Sequence, residues 1–245
     1  CGTLDGKGYS LKNFKIGITS ASGWNSRFIN VNTGTIKNIG LEVVGIDANN
    51  NRLGFIQVNK GTVSNVYVDF NYNVTQSRAT QYYVMGTIAA NNDTGTIENC
   101  VVNITVADGV DIGVGQGEKG VNLFAAIAGY NKGNSTLRNC YAVIGDNDIG
   151  IAIYQWGTQS NNSTYATMAE LAGAISFDEA NGWNTEIWNV VDGAVVMQHY
   201  EAPAHATVLT DKDTFVSTIA ADPSGNYELG GDIDFGGIEI SGMGT

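Results

Sequence analysis

Two pairs of acidic residues have a spacing that could support acid–base chemistry on a sugar. Asp178 and Glu179 are adjacent, while Asp232 and Asp234 are two residues apart, so a strand would present both from one face. Paired carboxylates cleave glycosidic bonds, one as the acid and the other as base or nucleophile. No basic residue accompanies either pair in sequence to neutralise an acidic sugar. We therefore expect these acids to be structural and the protein not to be an enzyme.

The other candidates for chemistry are isolated residues. His199 and His205 flank a proline-containing loop with Glu201 between them, and no Ser, Cys or Asp nearby completes a catalytic arrangement. The glycine-rich stretch 113–117 is not followed by Lys and Ser or Thr, so it does not predict a phosphate-binding loop. The acidic turn 146–148 offers oxygen ligands for Ca²⁺ but lacks the spacing of known calcium loops. We expect no cofactor and no metal site.

Four six-residue segments repeat one pattern: a small residue, Thr, an aliphatic residue, a polar residue, Asn and an apolar residue. A period of tens of residues indicates stacked units, none of which buries its apolar face alone. Alternation and turn residues predict strand–turn–strand units rather than helices. The four segments are residues 34–39, 61–66, 95–100 and 135–140.

Equivalent positions of stacked units should lie above one another, which predicts an all-β, parallel solenoid. The aliphatic residues of the pattern should stack inside the core: Ile36, Val63, Ile97 and Leu137. The asparagines should form a structural ladder, because each buried amide can bond the next along the stack. These asparagines are Asn38, Asn65, Asn99 and Asn139.

Two of the three cysteines fall within the repeats. Cys100 and Cys140 take the position of Ile39 and Val66, which indicates small buried hydrophobes in adjacent units. Adjacent strands lie about 4.8 Å apart, so a disulfide between the two is also geometrically allowed. The odd total excludes a complete intramolecular disulfide framework, and no second Cys or His lies at metal-ligand spacing.

The chain divides into three parts by composition. These are the repeats at 1–158, a closing helix and hairpin at 159–206, and the start of a further module, helix plus strand, at 207–245. In the closing part, residues 164–173 predict a helix with a Thr cap, and Asp192-Gly193 predicts a hairpin turn. In the last part, Thr210 is the expected N-cap of a second helix.

The repeats resemble the GLUG-type units of bacterial surface proteins. Residues 2–11 are similar to the family's opening strand and turn, and residues 226–235 to the strand that precedes this opening. The segment with Trp183 and Trp188 is similar to the family's closing part. The resemblance implies a parallel right-handed β-helix (solenoid), here with one or two short helices and a hairpin in the C-terminal part. It implies a scaffold of large adhesins and secreted proteins, not an activity.

The order of these pieces is permuted, since the chain ends on the strand that precedes its own opening in the family pattern. A linear solenoid advances about 4.8 Å per strand, so we expect the two ends not to meet within one chain. Three interpretations stay open: one period of a tandem array, a subunit of a head-to-tail filament, or a segment cut from a longer protein. The residues expected at the assembly ends are Cys1, Gly2, Leu4, Leu229, Ile233 and Phe235.

Composition excludes several classes of partner. A net charge of −12 with only 12 Lys and Arg argues against nucleic acid and against anionic membranes. No apolar run approaches membrane-spanning length, and a secretion signal is expected to be removed or to lie outside this segment. Aromatic side chains could stack on sugars, although burial is the favoured interpretation for each of them. They are Trp24, Trp156, Trp183, Trp188, Tyr82 and Tyr83.

These observations favour a non-enzymatic extracellular repeat protein on a bacterial surface. It would act as an adhesin stalk or filament subunit, with copies of itself and surface glycans as partners. The alternative is a glycan-binding or glycan-degrading β-helix such as a phage tail component. A side cleft with clustered acids would favour the alternative, whereas a smooth solenoid with complementary ends would favour the first interpretation.

Overall fold

The computed structural model describes residues 2–16, 25–46, 52–73, 83–109, 122–200 and 206–240. Up to residue 155 it contains strands β1 (Thr3–Asp5), β2 (Ser10–Ile16), β3 (Asn25–Asn32), β4 (Thr35–Ile46), β5 (Arg52–Asn59), β6 (Thr62–Tyr72), β7 (Tyr83–Gly86), β8 (Ala89–Asn92), β9 (Thr96–Val106), β10 (Asn122–Asn131), β11 (Thr136–Val143) and β12 (Gly150–Gln155). After these come β13 (Thr158–Ser160), β14 (Ser163–Tyr165), α1 (Met168–Ala174), a 3₁₀ turn (Glu179–Asn181), β15 (Trp188–Val191), β16 (Ala194–Met197), β17 (Thr207–Leu209), α2 (Lys212–Ala221), β18 (Asn226–Leu229), β19 (Ile233–Asp234) and β20 (Glu239–Ile240).

Most strands belong to two parallel sheets. The large sheet has the order β13–β11–β9–β6–β4–β1–β18–β17, and the second sheet has the order β12–β10–β7–β5–β3. From β3 to β12 the chain alternates between the sheets, with β7 and β8 together forming one pass through the second sheet, and each pass pairs in parallel with its equivalent in the next repeat. The predicted all-β class with parallel pairing and short helices is confirmed.

The repeated pattern places equivalent residues in one register. Ile36 pairs with Val63, Val63 with Ile97, and Ile97 with Leu137. All four are at most 4% exposed, because alternate residues of a strand share one face and this face is the core. The column therefore buries apolar surface that no single repeat could bury by itself.

Aromatic rings fill the core beside β3. Phe28 stacks on Phe55 with ring centroids 4.9 Å apart, and Phe14 lies 5.3 Å from Phe28. From α2, Phe215 lies 5.9 Å from both Phe28 and Phe235. Helix α2 thus closes the core at this end with a ring in edge and tilted contacts, which are favourable for aromatic pairs.

The turns that lead into the large sheet also stack closely. The Thr62 amide donates to the Gly34 carbonyl at 2.9 Å, and the Thr96 amide donates to the Gly61 carbonyl at 2.9 Å. A Cβ atom on Gly34 or Gly61 would overlap the backbone of the preceding turn. The repeat therefore begins with a small residue because two backbones meet there.

The two ends of the described chain pair with each other. Strand β18 lies parallel to β1 with Leu4 opposite Tyr227, and β19 lies parallel to β2 with Leu11 opposite Ile233. The expectation that these ends cannot meet within one chain is therefore wrong. Residues 207–240 do not extend the stack beyond the last repeat, since they return to the first and add strands before β1.

The residues expected at a junction between copies accordingly lie within this chain's own fold. A Cβ atom on Gly2 would overlap the backbone of residues 224–225. Cys1 lies outside the described residues. The four apolar members are at most 7% exposed: Leu4, Leu229, Ile233 and Phe235.

The closing segment carries the chain back along the outside of the large sheet. Val102 belongs to the main core, whereas its neighbour Val101 belongs to a second cluster with Tyr141, Trp183 and Trp188. This second cluster lies on the opposite face because adjacent strand residues point to opposite sides. A return path over that face allows the C-terminal strands to reach β1.

The short elements of the C-terminal part differ from expectation in their starting points. Helix α1 begins at Met168 with Thr167 as N-cap in a capping box, because the residues before it pair with β11 as strand β14. Asp211, not Thr210, caps α2 and accepts from the Asp213 and Thr214 amides.

The predicted hairpin is confirmed, since β15 and β16 pair antiparallel around Asp192-Gly193, both with positive φ.

Candidate functional site

Both acidic pairs take part in local structure. Asp178 accepts from the Asn181 amide at 3.0 Å and caps the 3₁₀ turn. Asp232 accepts from the Ser10 amide at 2.8 Å and pairs with Lys12 Nζ at 2.6 Å, so the fold supplies a cation that is distant in sequence. Asp234 accepts from the Gly236 amide at 2.7 Å. Asp178, Asp232 and Asp234 thus each hold a turn or a chain end in place.

The histidine and ligand candidates form no site among the described residues. His199 stacks on Tyr9 with ring centroids 5.2 Å apart, while His205, Glu201 and residues 113–117 lie outside the described residues. In the turn 146–148, Asn147 bonds the Ile144 carbonyl through its side chain at 2.7 Å. In the described ranges no three His, Cys, Asp or Glu side chains come close enough to hold a metal ion.

Neither described helix has the length and apolar character needed to cross a lipid bilayer. Helix α1 has seven residues and α2 has ten.

The asparagines of the repeat bond one another in two separate pairs. Asn65 Nδ2 donates to Asn38 Oδ1 at 2.9 Å, and Asn139 Nδ2 donates to Asn99 Oδ1 at 3.0 Å. Between the pairs, the closing segment supplies the partners. Trp188 Nε1 donates to Asn65 Oδ1 at 3.2 Å, and Asn99 Nδ2 donates to the Gly182 carbonyl at 2.9 Å. All four asparagines also have φ between 50° and 55°, a region that Asn tolerates better than most residues.

A second, more deeply buried asparagine ladder lies at the ends of the second sheet's strands. Asn32 Nδ2 donates to Asn59 Oδ1 at 2.8 Å, Asn59 Nδ2 to Asn92 Oδ1 at 2.9 Å, and Asn92 Nδ2 to Asn131 Oδ1 at 2.9 Å. The last three have no exposed surface. Sequence reasoning placed the structural ladder at Asn38, Asn65, Asn99 and Asn139 and missed this second one. The signal was an Asn just before the small residue of each repeat, two residues before it in the first two repeats, three in the third and four in the fourth.

The predicted stacking of Cys100 and Cys140 is confirmed. They are directly opposite each other on β9 and β11, both are fully buried, and both are free thiols. Burial raises the pKa of the Cys100 thiol well above its usual value, and its neighbour Cys140 adds to the shift. A thiol kept protonated and covered is a poor nucleophile, so this pair acts as core packing.

Thiol labelling should therefore separate the folded from the unfolded protein. In native buffer at pH 8 we expect Cys100 and Cys140 to resist a thiol reagent such as iodoacetamide, and in denaturant we expect both to react. A variant with Cys1→Ser removes the remaining thiol from the measurement. Mass spectrometry counts the labels, and rapid labelling of Cys100 in the native state would contradict this assignment.

A polar cluster joins the chain ends to the closing segment. Lys7 Nζ pairs with the Glu228 carboxylate at 2.9 Å, where both side chains are largely buried. The Tyr200 hydroxyl accepts from Asn38 Nδ2 at 3.1 Å and lies 3.2 Å from an Asp5 carboxylate oxygen, to which it donates. Burial and then the charge of Asp5 raise the pKa of Tyr200 to about 12. Tyr200 therefore stays protonated and serves as a structural donor.

Three aromatic rings form a cluster beside the last turn of the second sheet. Tyr130 and Tyr154 pair across β10 and β12, with ring centroids 4.6 Å apart and planes 7° apart. Trp156 lies 5.6 Å from Tyr154 and is 63% exposed. The sequence singled out Trp156 but not the tyrosines, although each tyrosine directly precedes the last residue of its strand.

Two of the other aromatic candidates are buried. Trp183 and Trp188 are 1% exposed and meet edge to face in the second cluster, with centroids 5.1 Å apart. Trp24 and Tyr82 lie outside the described residues, as does the side chain of Tyr83.

A cavity of about 240 Å³ lies between β3, α2 and residues 223–225. Its described lining is apolar and neutral polar, with Phe28, Val31, Ile219 and Tyr227 as its larger side chains. No charged side chain is among these described lining residues, so the cavity offers no acid–base pair.

This chain matches no protein-family model, no curated protein and no solved structure. The resemblance to GLUG-type units therefore stays a prediction that rests on the quoted residues.

Proposed function

We propose that this chain forms a right-handed parallel β-helix that serves as a non-enzymatic scaffold in a surface protein of a bacterium, as an adhesin stalk does. The alternation between two parallel sheets supports the β-helix, and connections between parallel strands are right-handed in nearly all known cases. The resemblance of the repeats to GLUG-type units supports the extracellular location.

The scaffold role rests on one observation, which is that the acidic side chains bond backbone amides or a lysine. Asp178, Asp232 and Asp234 accept backbone amides or pair with Lys12, and the described cavity has no charged lining. Glycoside cleavage needs two carboxylates facing one bond at a spacing of about 5–10 Å, with one kept protonated. Acids used in turns and ion pairs fit a scaffold better than a catalytic site.

Assembly is proposed here only as a tandem array of such modules. A head-to-tail filament through the strand at 226–235 is not proposed, because β18 and β19 already pair with β1 and β2 of the same chain.

Two measurements test this function. Incubation with neutral and acidic polysaccharides should release no new reducing ends and no unsaturated sugars. Activity that Asp232→Asn or Asp178→Asn abolishes, while the protein stays folded, would overturn the non-enzymatic role. Protease treatment of intact cells of the producing bacterium should release peptides of this chain, and complete protection that ends only on lysis would overturn the surface location.

A further inference from the structure

We propose that Tyr130, Tyr154 and Trp156 form a platform that binds a neutral glycan, with a pyranose ring stacked on Trp156. This site goes beyond the scaffold role and does not depend on it. The apolar C–H face of a pyranose packs on an aromatic face, and its hydroxyl groups need hydrogen-bonding partners at the rim.

The exposure of Trp156 is unusual for this protein. The other large hydrophobic side chains exposed in the described part of the chain are aliphatic, and they lie on β15, β17, α2 and the segment after β19. Trp156 instead packs beside the Tyr130–Tyr154 pair, with its ring centroid 5.6 Å from Tyr154 and 6.3 Å from Tyr130 and the planes inclined by 27° and 29°. Because 63% of its surface is exposed, Trp156 is open to stacking by a further ring such as a sugar.

The platform is held by rigid backbone. The amides of Trp156 and Gly157 both donate to the Asn131 carbonyl, at 2.8 and 2.9 Å. Asn131 is fully buried at the end of the second asparagine ladder. A Cβ atom on Gly157 would overlap the Lys132 carbonyl oxygen, so this turn lies tightly on the turn below it. Binding would therefore require little ordering of the backbone, which favours affinity.

The rim beside Trp156 carries charges of both signs. Lys60, Asp93, Lys132 and Trp156 occupy the same turn position in successive repeats, because each amide donates to the Asn carbonyl of the preceding repeat. The Asp93 carboxylate lies 3.6 Å from Lys132 Nζ and 4.0 Å from Lys60 Nζ, and all three side chains reach solvent. The ammonium groups of these lysines are donors and the Asp93 carboxylate is an acceptor for the hydroxyl groups of a sugar on Trp156. They lie within a few strand spacings of it, each about 4.8 Å.

Charge selects the class of glycan. The whole chain carries −12, so it repels polyanions such as uronate-rich polysaccharides and nucleic acid. A protein partner would need a larger apolar surface than three rings supply. The geometry therefore points to a neutral hexose or N-acetylhexosamine chain.

Cellohexaose, chitohexaose and mannohexaose are suitable probes, measured by calorimetry and by tryptophan fluorescence of the full chain. At least one should bind, and Trp156→Ala should weaken binding about tenfold or more, as loss of one stacking contact does. Trp156→Phe should retain part of the affinity. Val208→Ala, which alters an exposed apolar residue on β17, should bind like the wild type. Circular dichroism confirms that each variant is folded.

Several results would overturn the proposal. The proposal fails if no probe binds at concentrations up to about 10 mM, because a weaker affinity would be too low to matter. Unchanged affinity in Trp156→Ala is a second such result, and stronger binding of alginate than of the neutral probes is a third. Concentration-dependent dimerisation that Trp156→Ala abolishes would instead assign the rings to an interface between copies.

Discussion

Val63→Asp is expected to destabilise the fold more than any other single change considered for this chain. Val63 is 1% exposed and pairs with Ile36 on one side and Ile97 on the other. A carboxylate there would lie among aliphatic side chains of three repeats with no cation in reach. Burying an unpaired charge of this kind costs about 4 kcal/mol or more in unfolding free energy.

Urea unfolding followed by circular dichroism measures this loss. Val208→Asp makes the same chemical change at a site that is 45% exposed and should cost about 1 kcal/mol or less. If Val63→Asp does not fold, Val63→Ala provides the measurement, with an expected cost of about 2–3 kcal/mol from the cavity it leaves. A Val63→Asp protein as stable as Val208→Asp would show that the stacked column is not the core.

Asn59→Leu should cause the second largest loss. Asn59 has no exposed surface, accepts from Asn32 Nδ2 and donates to Asn92 Oδ1. Leucine has a similar volume, so the change removes these two hydrogen bonds and a longer one from Asn59 Nδ2 to the Thr96 carbonyl at 3.4 Å, and it leaves the buried amides of Asn32 and Asn92 without those bonds. Each such group costs about 1–3 kcal/mol, so we expect the unfolding free energy to fall by about 2–4 kcal/mol in total.

Asn103→Leu is the matched control. Asn103 Nδ2 donates to Asp69 Oδ1 at 2.9 Å on an exposed surface, where water can replace the lost bond. We expect a change of about 0.5 kcal/mol or less. Equal losses in the two variants, measured by urea unfolding, would mean that the buried ladder contributes no more than a surface amide pair does.

The sequence by itself determined the features that depend on local pattern and on repetition. The spacing of Thr35, Thr62 and Thr96 sets the register of β4, β6 and β9, because a period-two strand can bury its apolar face in only one register. The same alignment placed Cys100 opposite Cys140. Asp192-Gly193 determined its hairpin because both residues accept positive φ.

The sequence left a different set of features open. It did not show that Asn32, Asn59 and Asn92 point inward to form a ladder, because side-chain direction at a turn depends on the packing of both sheets. Nor did it show that Tyr130 and Tyr154 stack, since their spacing in sequence reflects the loop between repeats and not the distance between strands.

Only the tertiary structure decided where the C-terminal strands go. The pattern of residues 226–235 predicts a strand equally well at the far end of the stack, in a second copy or beside β1. The choice depends on the closing segment, which packs on Val101 and Tyr141 and brings Tyr200 to Asp5. From there Lys7 meets Glu228 and Lys12 meets Asp232, contacts between residues more than 200 positions apart that no local pattern encodes.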